Sequence, residues 1–193
     1  MRLILVRHPA PLVAPGVCYG RTDLAVADAE RARTGAALAA VLPAHTPIYA
    51  SPLQRCAALA RDLHAALAGS TLTFDARLVE IDFGAWEMQP WDSIARAEID
   101  AWAADVAGYH PGGGESVQQA ALRVKAFYAA LQRSGVPCAI VVCHAGSMRL
   151  LAACHLGLAP AEAAAHAANT PHHIPYGGLL TLADHGPQHQ FPV

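Results

Sequence analysis

Apolar residues along this 193-residue chain gather into short runs separated by helical and turn-like stretches. "RLILV" at 2–6, "PIYA" at 47–50, "TLTFD" at 71–75, "CAIVVC" at 138–143 and "GGLLTLA" at 177–183 read as strands. Continuous branched runs of this kind suit strands covered on both faces. Residues 28–42 are alanine-rich with scattered arginine and predict a helix stopped by Pro43. "SPLQRCAALARDLHAAL" predicts a second, with Ser51 as N-cap, Pro52 in the first turn and Gly69 past its end. Residues 78–90 have loop character, and 91–105 read as helical. After the "HPGGGES" loop, Ser116 with Gln119 forms a capping-box pattern that opens a helix to about Arg133. "HAGSMRLLAACHLGL" predicts one more helix.

Strands alternating with helices imply an α/β layered domain with a mostly parallel sheet, in a single domain over residues 1–193. An apolar fraction of 54% against 15% charged residues argues against disorder. A formal charge of -2 supplies no basic field for nucleic acid and no basic amphipathic segment for a membrane surface. The five cysteines are odd in number and contain no C-x-x-C pair, so reduced thiols are expected, not a disulfide framework or zinc knuckle. The first apolar run is too short for a signal-peptide core, and a soluble, cytoplasmic chain is the expectation. Nothing in the pattern sets an oligomeric state.

In parallel sheets ligands bind outside the carboxyl ends of strands, so the polar residues there matter most. The first strand ends in Arg7-His8, "CAIVVC" runs into His144, and "PIYA" runs into Ser51-Pro52, with Arg55 one turn on. Parallel strands bring these side chains over one sheet edge. Guanidinium forks and helix N-termini favour anions, and a phosphoryl group is the natural ligand. A histidine nucleophile attacks as neutral imidazole. Arginine charge beside His8 disfavours its protonation, and the same charge with His144 holds a transferring phosphoryl group. A carboxylic acid has to protonate the leaving alkoxide. "LVEIDFGAWEM" offers Glu80, Asp82 and Glu87, and spacing does not choose among them.

Each piece has a plainer reading. A histidine after a strand is more often solvated than catalytic, and "SPLQR" alone is a well-capped helix with a surface arginine. The glycines at 112–114 read as a flexible loop, since no strand, Gly-loop, helix and Lys series surrounds them. Trp86 and Trp91 read as packing. Eleven histidines show no zinc-binding spacing, and His172 and His173 are adjacent, so no metal site is expected. The coincidence of several pieces in one alternating frame favours the phosphoryl site.

"LVRHP", "YASPLQRCAALA", "LVEIDFGAWEM", "PGGGES" and "IVVCHAGSMRLL", in this order, resemble the histidine phosphatase superfamily, phosphoglycerate-mutase-like branch. The resemblance implies a three-layer α/β/α sandwich without metal or organic cofactor. It implies a phosphomonoester hydrolase acting on a small phosphorylated metabolite through a phosphohistidine at His8. Arg7 and Arg55 would bind the phosphoryl group, His144 would stabilise it, and Glu80 would donate the proton. The loop carrying Glu115 and Ser116 would sit at the pocket mouth. "FGAWEM" and "CYGRTDL" look closest to the adenosylcobalamin-pathway phosphatases acting on α-ribazole 5′-phosphate. The competing readings are a non-catalytic phosphate-binding or regulatory protein on the same fold and a phosphoglycerate-type mutase. The chain departs from the family pattern at Pro9, where glycine is usual, and at Ala14, where many members carry asparagine. Arg21, with Tyr19 and Gly20 beside it, is expected to supply part of the missing contact and read the substrate. The alternative pairs Arg21 with Asp23.

Overall fold

A computed structural model describes residues 1–170, 173–183 and 186–190. His172 of the adjacent histidine pair lies outside them. The strands are β1 (Arg2–Arg7), β2 (Ile48–Ala50), β3 (Leu72–Phe74), β4 (Cys138–Cys143), β5 (Leu179–Ala183) and β6 (Gly186–Gln190). The α-helices are α1 (Asp28–Ala39), α2 (Gln54–Ala66), α3 (Arg96–Ala104), α4 (Val117–Arg133), α5 (Ala145–His155) and α6 (Pro160–Asn169). The strands form one sheet in the order β3-β2-β4-β1-β5-β6.

The first four strands in chain order run parallel, β5 runs antiparallel to β1, and β6 turns back antiparallel to β5. The period-2 alternation of β1 splits its apolar run between two cores. Leu3 and Leu5 pack with α4, α5 and α6, and Ile4 and Val6 pack with α1 and α2. Helices therefore cover both faces of the sheet, which is the three-layer arrangement expected. A third, smaller cluster gathers Cys18, Trp86 and Ile94 with Phe83, Trp91 and Trp102 beside the main layers. Trp86 and Trp91 do pack there, as the sequence suggests.

Several local expectations change. Ser51 does not cap α2: the helix starts at Gln54, and its N-cap, Leu53, has no side-chain cap. Helix α1 ends at Ala39, short of 42. The 91–105 stretch divides into a 3-10 turn at Trp91–Ser93 and the helix α3. Helix α6 and strand β6 extend the pattern beyond the elements read from sequence. The glycine loop is close-packed, not loose. A Cβ on Gly112 would lie 2.4 Å from the Phe83 carbonyl oxygen, and one on Gly114 would lie 2.2 Å from that of Asp82. These glycines let the 111–114 turn press backbone to backbone against residues 82–86. Among the described residues no helix is long and apolar enough to cross a membrane.

Candidate active site

Because β1, β2 and β4 are parallel neighbours, Arg7, Ala50 and Cys143 end on the same sheet edge. The next residues are His8, Ser51 and His144, and all three are buried there. The rings of His8 and His144 meet edge to face, with centroids 5.1 Å apart.

His8 is held by its own neighbour. Its Nδ1 lies 2.7 Å from the carbonyl oxygen of Pro9. A carbonyl only accepts, so Nδ1 carries the proton and Nε2 keeps its lone pair. The substitution of proline at position 9 leaves this contact intact, since the contact uses the carbonyl and not the missing N–H. Burial pushes the His8 pKa down to about 3, assisted by the charges of Arg55 and Arg7 and opposed by the Pro9 contact. The ring is therefore neutral, with Nε2 unprotonated.

Arg55 is fully buried on the first turn of α2. Its Nε donates to Nδ1 of His144 at 3.2 Å, Nη1 donates to the Thr22 carbonyl at 2.7 Å, and Nη2 donates to the Gly20 carbonyl. Three of the five guanidinium N–H bonds are thus used, leaving one on each terminal nitrogen. Arg55 both carries the buried charge and ties the 20–22 loop over the site. His144 accepts that bond on Nδ1, so its Nε2–H faces the Ser51 hydroxyl at 2.9 Å. Burial, then the neighbouring His8 and Arg55, hold its pKa well below the usual range. Ser51 thus orients a site histidine in place of capping a helix. Cys56 sits 3.5 Å from His144 Nε2, but burial raises its pKa and keeps it a thiol.

Arg7 donates Nη1–H to the Ile174 carbonyl at 2.6 Å, and its guanidinium carbon lies 4.0 Å above the Tyr176 ring. Its buried Nε finds no partner among the described residues. A buried orphan donor on a charged group is costly, and an anionic oxygen would satisfy it. Tyr176 also approaches the His8 ring at 5.6 Å and shares a 2.6 Å hydrogen bond with the Tyr19 hydroxyl. The two tyrosines roof the Arg7–His8 corner.

The three acidic residues left open by spacing have different surroundings. Glu87 accepts from the backbone N–H groups of Gly20, Arg21, Thr22 and Phe83 and from the Thr22 hydroxyl. Burial raises its pKa, but these bonds outweigh that and the net shift is downward. It is a loop anchor. Asp82 accepts from Gly84 N–H at 2.8 Å and lies 3.7 Å from Arg21. Glu80 accepts from Gly146 N–H at 3.0 Å, two residues after His144, and lines a cavity beside it. A Cβ on Gly146 would fall 2.3 Å from a Glu80 oxygen, so the glycine makes room for this carboxylate. Local geometry thus leaves Glu80 as the carboxyl placed at the cavity.

The other sequence candidates stand apart from the His8 corner. The Arg21 side chain is 64% exposed and pairs with Asp82; Asp23 instead accepts from the backbone and side chain of Gln54. Glu115 lines the cavity, but Arg123 holds both its oxygens at 2.7 Å. Arg123 also donates to the Arg77, Val79 and Glu80 carbonyls, so this pair braces the segment that carries Glu80. Ser116 forms the capping box with Gln119 as expected, which occupies its hydroxyl. Gly20 contributes its backbone, through Arg55 and Glu87.

A family model for the histidine phosphatase superfamily (branch 1) matches residues 3–174. The chain belongs to this superfamily. Its members among solved structures share the whole architecture. The mycobacterial glucosyl-3-phosphoglycerate phosphatase is 25% identical, with a TM-score of 0.78 over 98% of this chain and 97% of that one. A Thermus thermophilus protein is 26% identical, with a TM-score of 0.72 over 100% of both chains. An Escherichia coli K-12 protein provisionally designated an α-ribazole-5′-P phosphatase is 23% identical, with a TM-score of 0.80 over 100% of this chain and 95% of that one. That last likeness concerns the fold. No curated protein matches the chain.

The two buried histidines make a prediction about stability. Both are held neutral when folded, and unfolding returns them to an ordinary pKa near 6.5. Their contribution is complete above pH 6.5 and is lost as pH falls from there toward the folded values. The expected slope is about 1.4 kcal/mol per pH unit for each ring. Urea unfolding between pH 6.5 and 4.5 should therefore show His144→Gln losing stability less steeply than the parent, by about one proton. Equal slopes would mean that His144 is not buried in its neutral form.

The Glu87 anchor makes a second. Glu87→Ala leaves four backbone donors without their carboxylate, and a loss of about 2 kcal/mol in unfolding free energy is expected. Arg55 loses the ordering of the carbonyls it holds, so phosphatase activity should fall with it. Unchanged denaturant midpoints would show that the loop holds without this anchor.

Proposed function

We propose that this protein is a phosphomonoester hydrolase that transfers the phosphoryl group to His8 and then to water. The observation that carries the reading is the state of His8. It is a buried neutral imidazole whose Nδ1 proton is fixed on Pro9, beside two arginines. In the first half, the Nε2 lone pair attacks phosphorus while the ester P–O bond breaks. Glu80, as the carboxylic acid, gives its proton to the departing alkoxide. Arg7, through its orphan Nε, and Arg55 take up charge developing on the phosphoryl oxygens. In the second half, Glu80 as carboxylate removes a proton from water. The water oxygen displaces Nε2 from phosphorus and frees inorganic phosphate. His144 backs the phosphoryl site from beneath, where Arg55 and Ser51 fix its ring.

Membership of a superfamily whose solved relatives include phosphatases supports this reading. The substrate is a small phosphorylated metabolite, and α-ribazole 5′-phosphate is one candidate among them. A panel of phosphomonoesters containing p-nitrophenyl phosphate, α-ribazole 5′-phosphate and 3-phosphoglycerate tests the reaction class. Release of inorganic phosphate is the expected result. Tight phosphate binding without turnover of any member would favour a regulatory phosphate-binding protein instead. Transfer of phosphate between glycerate positions would favour a mutase.

A further inference from the structure

The cavity beside Glu80 has a volume of about 530 Å³, within the ordinary range for a small-molecule site. Its wall is apolar and aromatic: Phe83, Ile99, Trp102, Val106 and Leu150 face it. Trp102 is held rigidly, stacked on Trp91 at 5.9 Å with 9° between the planes and met edge-on by Phe83. Glu80, Tyr19, Ala145 and Gly146 also line it, and the last two directly follow His144 in the chain. An alcohol protonated by Glu80 would leave into this space.

The charges at the wall are few. Glu115 is neutralised by Arg123. Arg149 lines the cavity, with Nη2 donating to the Thr170 carbonyl at 2.6 Å and a buried Nε that has no partner among the described residues. That one donor would suit a single acceptor oxygen of the substrate, whereas a second phosphate would need a cluster of cations that the described lining residues do not form. An apolar ring, by contrast, gains the burial and stacking that the wall offers.

We infer that the cavity receives the alcohol portion of the substrate, and that this portion is an apolar, ring-bearing group and not a polyol or a second phosphate ester. The inference rests on the hydrolase reading above and narrows its substrate class, with Trp102 and Val106 as specificity-determining residues. The test compares 2-phenylethyl phosphate with glycerol 3-phosphate and 3-phosphoglycerate, all of which release alkyl alcohols. The expected kcat/KM ratio is roughly 10- to 100-fold in favour of the phenyl compound, the effect of burying one such ring. Trp102→Ala and Val106→Asn should each bring that ratio to within about three-fold. Val106 lines the cavity but is not part of the cluster around Trp86, so its variant decides if Trp102→Ala does not fold. Hydrolysis of p-nitrophenyl phosphate that needs His8, together with a ratio near one or in favour of 3-phosphoglycerate, overturns this inference and leaves the hydrolase reading standing. A ratio that persists unchanged in both variants also overturns it. No hydrolysis of any compound, p-nitrophenyl phosphate included, overturns both.

Discussion

His8→Ala is expected to lower kcat by about four orders of magnitude or more on every phosphomonoester, with the fold unchanged. The magnitude follows from removing the nucleophile of a two-step mechanism, which leaves only binding and electrostatic stabilisation in place. The variant should still bind inorganic phosphate, because Arg7, Arg55 and His144 remain. Its stability should also fall less steeply than the parent's below pH 6.5, since the unfolded variant no longer takes up a proton at this position. Steady-state kinetics together with phosphate titration separate these effects. Residual turnover within about ten-fold of the parent would mean that His8 is not the nucleophile.

Glu80→Gln should show a loss that depends on the leaving group. For alkyl phosphates a drop of about 10²- to 10⁴-fold in kcat is expected, the usual value of a positioned general acid. For p-nitrophenyl phosphate the leaving phenolate is stable without a proton, and the first half of the reaction should be nearly unaffected. Glutamine keeps one acceptor oxygen, enough for Gly146 N–H, and gives up the bond from Ile81 N–H, a loss common to both substrates that the comparison cancels. Equal losses in kcat/KM, which reports the first half of the reaction alone, would place Glu80 in binding or support and would return the acid role to another group. Glu87 is a poor successor, since its oxygens already hold the 20–22 loop.

How much of this was readable before the structure depends on the kind of residue. The edge carrying Arg7, His8, Arg55 and His144 follows from strand ends, because parallel strands must deliver their last residues to one side. The Ser116–Gln119 cap is local in sequence and was equally legible. Ser51 was not. Its hydroxyl is chemically suited to cap a helix or to orient a histidine, and only the position of β4 beside β2 decides. The choice among Glu80, Asp82 and Glu87 depends on which backbone amides surround each one. Those amides come from 20–22 and from Gly146, far away in the chain. The Gly112–Gly114 turn looked flexible because composition reports freedom, whereas here it reports close approach.

Other features left signals that were weaker. Helix α6 begins with Pro160 and with Glu162 accepting from the Ala159 N–H, both ordinary helix-start features in an alanine-rich stretch. Ile99, Trp102, Ala103 and Val106 recur at helical spacing, which marks one apolar face but not a pocket. Tyr176, Arg123 and Arg149 carry no local signature. They matter through the Arg7 corner, the Glu80 segment and the cavity wall, which exist only in the folded chain.

The central claim is the covalent phosphohistidine. The direct measurement is a rapid acid-free quench of the protein mixed with ³²P-labelled phosphomonoester, followed by peptide mapping. The account predicts label that is stable to base and labile to acid, located on the His8 peptide and absent from His8→Ala. Label on any other residue, or turnover with no labelled protein at the shortest times alongside ¹⁸O from water appearing in phosphate with a single inversion at phosphorus, would contradict it.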